Sequence, residues 1–141
     1  MKKRIISAVS FVLSLIIFMA PMASAAVYSS DYISRSVVST SKVSSGKVKV
    51  EFTVSGKYGV NEVGAKKVVI YESSDNETWT SKKTFYSSTT SGMITYGVQS
   101  ATSSVTYSGT AGYYYKADVT VYAGTSGTGD TETYPTNSVK A

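Results

Sequence analysis

Cysteine and histidine are both absent from the 141 residues. Without cysteine there are no disulfides, so packing and hydrogen bonding alone must hold the fold. The two absences together remove thiol nucleophiles, Ser-His-Asp triads and zinc centres with Cys or His ligands. Carboxylate chemistry, Ser/Lys dyads and oxygen-ligated cations remain. Helical periodicity is missing beyond the N-terminal segment, and there is no internal repeat. No stripe of basic residues of the kind that tracks a phosphate backbone is present, so nucleic acid is not an expected partner.

What is present begins with an address. Lys2, Lys3 and Arg4 precede an almost unbroken apolar run from Ile5 to Met19, followed by Pro21 and Ala23-Ser24-Ala25. A positive start, an apolar middle and a small-x-small end predict a cleavable secretory signal over residues 1–25, cut between Ala25 and Ala26. The apolar run is short for ~30 Å of hydrocarbon. No cysteine follows it to accept a lipid, and no second hydrophobic run lies near the C-terminus. The expectation is a secreted, extracellular chain with no stable membrane anchor after cleavage. A cysteine-free exported chain also suits a Gram-positive bacterium.

Ala26 to Ala141 is 116 residues, one domain's worth and enough to bury a core. Losing Lys2, Lys3 and Arg4 leaves eleven basic residues against nine acids, a net charge of +2. Signs mix within single stretches, as in Lys47, Lys49 and Glu51.

The strictest alternation lies between Gly112 and Gly124. Tyr113, Tyr115, Ala117, Val119 and Val121 fall on one face; Tyr114, Lys116, Asp118, Thr120 and Tyr122 fall on the other. Side chains of a strand alternate between faces, so this is a long strand with an apolar side. Lys47 to Val54 alternates as cleanly, with Val48, Val50, Phe52 and Val54 inward, as in a half-buried antiparallel strand. Tyr32 to Val38, Ala65 to Tyr71, Trp79 to Tyr86, Met93 to Val98, Ser104 to Tyr107 and Thr131 to Val139 read as further strands. Ser39 to Gly46, Ser55 to Gly64, Ser73 to Thr78, Ser87 to Gly92, Ser108 to Gly112 and Ala123 to Asp130 read as turns and loops. In Ala65 to Tyr71 either Val68 and Ile70 or Val69 and Tyr71 face the core. Trp79 and Phe85 share a face. Pro135 places the last strand at a sheet edge or breaks it there.

About seven short strands with turn signals every ~10 residues predict an all-β fold, a single antiparallel β-sandwich, with a closed barrel as the alternative. Gly112-x-x-Tyr115-x-Ala117-x-Val119-x-Val121 resembles the F strand of fibronectin type III domains. Val69-Ile70-Tyr71, the Ser73 to Asn76 turn and Trp79 resemble that family's C strand, its turn and the next strand, and Lys47 to Val54 resembles its B strand. Where the family carries a Trp on strand B, this chain has Val50 or Phe52. The chain as a whole resembles small exported proteins of Firmicutes. The resemblance implies a fibronectin type III-like or other immunoglobulin-like sandwich used for binding or spacing, and no reaction.

Tyr114 and Tyr122 lie on the outward side of the Gly112–Gly124 strand, and Tyr71 joins them if Val68 and Ile70 point inward. An exposed row of aromatics can stack on sugar rings or anchor a protein partner. The competing reading is ordinary strand propensity for tyrosine. Asp75, Asn76 and Glu77, and Asp130 with Glu132, carry oxygen ligands, yet turn chemistry alone accounts for Asp and Asn there. Ser39-Thr-Ser-Lys42 fits Ser-x-x-Lys, a motif that works only on a helix and with partner motifs that are missing. Asn76-Glu77-Thr78 is formally a glycosylation sequon. No catalytic, cofactor or metal residues are assigned. The expected function is a secreted, non-enzymatic module that binds a glycan, a cell-wall polymer or a protein. A structural or adhesive component self-associating through strand edges is the alternative. A small hydrolase ranks third.

Overall fold

The computed structural model describes residues 30–141. The signal segment and its Ala25/Ala26 cleavage site lie outside the described residues. Nine strands follow in order: β1 (Ile33–Ser44), β2 (Lys47–Gly56), β3 (Glu62–Ser73), β4 (Thr80–Tyr86), β5 (Ile94–Tyr96), β6 (Ser100–Ser108), β7 (Tyr114–Thr125), β8 (Thr128–Pro135) and β9 (Val139–Lys140). Among the described residues there is no helix. The expected count of about seven is therefore low; the stretch read as one strand over Thr131 to Val139 is divided between β8 and β9.

All pairing is antiparallel. A three-stranded sheet has the order β1-β2-β6, and a larger one β4-β3-β7-β8, with β5 beside β3 and β9 beside β7. The two sheets share one core in a sandwich-like arrangement. Val48, Val50, Phe52, Val54 and Val105 come from the smaller sheet. Val63, Ala65, Val68, Ile70, Tyr115, Ala117, Val119, Val121 and Ala123 come from the larger. The alternating faces of β2 and β7 thus bury the side read from the sequence. Each fully buried Val or Ile contributes about 1.5–3 kcal/mol of transfer free energy.

Two bulges decide which side chains face out. Between Ala65 and Lys67 the register of β3 against β7 shifts, so Val63 and Ala65 point inward before it and Val68 and Ile70 after it. That settles the parity of β3 and turns Tyr71 outward. Between β3 and β4 the register jumps at Lys82, since Ile70 faces Lys83 while Tyr71 faces Ser81. Phe85 sits opposite the inward Val68 and packs on the core. Trp79 precedes the bulge and lies against Lys116, an outward residue of β7. Trp79 and Phe85 therefore occupy opposite faces, not one: an extra residue in a strand inverts everything beyond it.

Several stretches read as loop are strand. Glu62 to Gly64 begins β3, and its glycine marks a close backbone approach by Met93 of the segment leading into β5. Met93 itself is not in a strand but plugs the core. β6 starts at Ser100 rather than Ser104, and β8 at Thr128. Hydroxyl pairs hold these Ser/Thr-rich strands: Thr53 with Thr102 at 2.8 Å, Ser55 with Ser100 at 2.7 Å and Thr120 with Thr133 at 2.9 Å. The β7–β8 turn is Ser126-Gly127, both at positive φ (52° and 77°). That is the primed turn whose twist suits a hairpin.

Two polar fixtures close the fold. The Tyr115 hydroxyl accepts from the Thr110 N–H at 2.6 Å and donates to Glu72 Oε2 at 2.6 Å, tying the turn before β7 to β3. On the open side between β1 and β8, the Asn137 amide donates to the Thr40 carbonyl (2.9 Å) and accepts from the Thr40 N–H (3.0 Å). A side-chain amide there takes the place of a strand's backbone.

Candidate functional site

The outward side of the larger sheet can be read row by row from its register. Ser73, Tyr114 and Lys140 form the first row; Ser81, Tyr71 and Lys116 the second; Thr84, Val69, Asp118 and Pro135 the third. Tyr86, Lys67, Thr120 and Thr133 follow, then Ile94, Gly64, Tyr122 and Thr131, then Tyr96, Glu62, Gly124 and Gly129. The first two rows carry Tyr114 and Tyr71, while Tyr86, Tyr122 and Tyr96 stand in the later rows. Tyr71 and Tyr114 are diagonal neighbours on β3 and β7, within reach of each other's rings. Trp79, at the mouth of β4, joins them.

Lysines cover two of these rings. Lys116 Nζ lies 4.4 Å from the Trp79 ring centroid and Lys140 Nζ 5.4 Å from that of Tyr114. Tyr71, Trp79, Tyr114 and Lys116 are half-buried, and Lys140 is exposed. Burial and then the neighbouring Asp118 carboxylate raise the Tyr71 phenol above its ordinary value. The end of the face therefore offers three rings, two ammonium groups and one carboxylate.

Tyr122 does not belong to this group. It leaves β7 on the outward side, as its place in the alternation requires, but it is only 3% exposed. Eight residues of strand separate it from Tyr114, about 27 Å at ~3.4 Å per residue. Its hydroxyl donates to Glu62 Oε2 at 2.9 Å, and Lys66 Nζ lies 4.0 Å above its ring. The ring lies against Gly124 and Gly129, where a side chain would collide with it. Tyr122 is a cover over two glycines and presents no exposed ring. The expectation that it was an exposed partner of Tyr114 is corrected. Trp79 takes its place, missed because alternation from Phe85 put it on the core side.

The other candidate groups are engaged within the chain. Asp75 accepts from the backbone N–H of Thr78 (2.8 Å) and Glu77 (2.9 Å) and from the Ser73 hydroxyl (2.8 Å). These bonds, Thr78 first, hold its carboxyl down at about 2. Asp130 accepts from the Ser30 hydroxyl and the Asp31 N–H, each at 2.8 Å, which lowers its carboxyl and ties residue 30 to β8. Glu132 accepts from the Tyr134 hydroxyl. Among the described residues no three carboxylates converge as a metal site would. Ser39 and Lys42 stand three residues apart on β1, hence on opposite faces, which separates the two groups of the Ser-x-x-Lys motif.

Alkali tests the framework role of two tyrosines. Burial, then the Glu72 carboxylate, pushes Tyr115 up to about 12; burial, then Glu62, does the same to Tyr122. Their ordinary value is 10.0. As pH rises through that interval the unfolded chain releases protons that the folded chain keeps, so stability is full below about 10 and falls toward 12. Urea melts across this range should show the decline, and Tyr115→Phe should flatten it. A decline identical in that variant would remove Tyr115 from the account.

Comparison with known protein families, with curated proteins and with solved structures finds no match for this chain.

Proposed function

We propose that this chain is an exported, non-enzymatic binding module of the fibronectin type III or immunoglobulin-like kind. Its partner is an anionic cell-surface glycan or wall polymer, taken at the Tyr71–Trp79–Tyr114 end of the larger sheet. The leader-like segment before Ala26 supports export. The order β1-β2-β6 opposite β3-β7-β8 supports the fold kinship, because immunoglobulin-like sandwiches set strands A, B and E against C, F and G. The Tyr115 hydroxyl bonded back to Thr110 supports it too, as a corner tyrosine near the start of the F strand.

The single observation that carries the binding reading is the placement of Tyr71, Tyr114, Lys116 and Lys140 in two adjacent rows, with Trp79 against Lys116. A lysine lying on a half-exposed ring is a weak cover, worth about 0.5–1 kcal/mol. An acidic sugar polymer satisfies both parts at once: its acid groups take the ammonium ions and its ring faces take the freed aromatics. A neutral glycan would have to displace the lysines without recompense.

The test is titration calorimetry with an acidic polysaccharide and a neutral one of similar length. Trp79→Ala combined with Lys116→Ala should weaken the acidic ligand about tenfold or more, and added salt should weaken it further. Tyr122→Phe should leave binding unchanged. Equal binding by wild type and the double variant would sink the proposal.

A further inference from the structure

We infer that the outer edge of β6 is a self-docking edge, which pairs with β6 of a second copy of this chain about a two-fold axis at Ser104. The inference is independent of the aromatic face, which lies on the other sheet.

The four outermost strands of the two sheets differ in one respect. β1 carries Arg35 and Lys42, has two register irregularities, and has its Thr40 backbone capped by Asn137. β4 carries Lys82 and Lys83 and a bulge. β8 carries Asp130 and Glu132 and ends in Pro135. Charges, bulges and proline are how sheets blunt an edge against pairing with another chain. β6 has none of them. Its sequence, Ser-Ala-Thr-Ser-Ser-Val-Thr-Tyr-Ser, is uncharged and proline-free, and it pairs with β2 over nine residues without a register shift.

The hydrogen-bond phase shows what that edge offers. Gly56 N–H donates to the Gln99 carbonyl at one end of the β2–β6 ladder, and Gly109 N–H to the Gly46 carbonyl at the other. Bonded and non-bonded pairs alternate in an antiparallel ladder, so the odd residues of β6 spend their backbone groups on β2. The even residues, Ser100, Thr102, Ser104, Thr106 and Ser108, turn theirs to the open side. Their side chains are exposed, and among the described residues no backbone group pairs with that side.

A second copy fits this edge in register. Antiparallel pairing about Ser104 sets Thr102 against the other copy's Thr106 and Ser100 against its Ser108, so every outward-turned N–H and C=O meets its complement. On the core side the same register sets Ala101 against Tyr107 and Ser103 against Val105, continuing the apolar face. On the outer side it extends the hydroxyl pairs that Thr53–Thr102 and Ser55–Ser100 already make. Charge selects a self-copy here. A two-fold pairing at β1 or β4 would bring cationic side chains of both copies together, whereas β6 brings only neutral groups.

The test is sedimentation velocity over a concentration series on protein produced from the 141-residue sequence and recovered folded. Wild type should shift from monomer to dimer with concentration. Ser104→Lys places two ammonium groups across the axis and should raise the dimer dissociation constant about tenfold or more. It should still fold, since Ser104 faces Glu51 of β2 within the monomer. Ser104→Pro removes one edge N–H that bonds nothing in the monomer and should abolish the dimer by a second route. Mixing Ser104→Lys with Ser104→Glu should restore a heterodimer. A chain that stays monomeric at every concentration overturns the inference, even if it captures an added strand-forming peptide. A dimer indifferent to both single substitutions overturns it equally.

Discussion

Val119→Asp should leave the chain with no cooperative melting transition. Val119 has no exposure, sits mid-way along β7, and is paired on one side with Val68 of β3 and on the other with Tyr134 of β8. The substitution loses the transfer free energy of a valine and sets a carboxylate among the apolar side chains of the core. The two costs together exceed about 4 kcal/mol. A domain of this size holds about 5–15 kcal/mol in all, and here no disulfide limits the unfolded chain. Differential scanning calorimetry reads the result directly. Val119→Ala, which only removes volume, should melt cooperatively at a lower temperature. A Val119→Asp trace that overlays the wild type would mean that β7 faces the other way.

Gly64→Ala should cost about 3 kcal/mol or more, although it adds a single methyl group. Gly64 has φ of 154° and lies where β5 meets β3. A Cβ there collides with the Met93 carbonyl oxygen and comes within 2.9 Å of the Ile94 Cα. The same carbonyl accepts the Ala65 N–H at 2.8 Å, and the Met93 side chain is buried in the core. Neither neighbour is a flexible tip that can swing aside. The methyl must push β5 off β3, which frees the Ala65 amide and withdraws Met93 from its socket. Urea unfolding measures the cost, and hydrogen exchange at Ala65 should quicken together with the amides of β5. An Ala65 amide as protected as in wild type would show that the segment yields without leaving.

How far the sequence could be read depended on what each signal measures. Alternation in Lys47 to Val54 and in Tyr115 to Val121 identified inward faces correctly, because each strand buries one face and exposes or half-covers the other, whereas Tyr113, read on the same face, precedes β7 and is exposed. The four apolar residues of Val68 to Tyr71 gave no such contrast, and only the bulge at Lys66 settles which two turn inward. The bulge at Lys82 left no mark in composition, so Trp79 was placed with Phe85. β6 and β8 were clipped because Ser and Thr hydroxyls, not apolar side chains, pair them. The candidate site was half legible for the same reason. Tyr71 and Tyr114 share the outward face in neighbouring rows, as their parity required. Tyr122 points the expected way, but alternation says which side a residue leaves a strand and nothing about what lies on top of it. Glu62 and Lys66 hold it down over the glycines of β7 and β8, and most of these residues lie in stretches that read as loop.

The hold that Asp130 keeps on Ser30 also sets an orientation. Asp130 is one residue from Thr131, which faces Tyr122, so residue 30 is moored at the pole of the larger sheet opposite Tyr71, Trp79 and Tyr114. Lys140 and Ala141 pair at the other pole, beside Tyr114 and Tyr113. Residue 30 and the rows that bear Tyr71, Tyr114, Lys116 and Lys140 therefore stand at opposite ends of the larger sheet. A partner seated on those rows would meet the chain well away from residue 30.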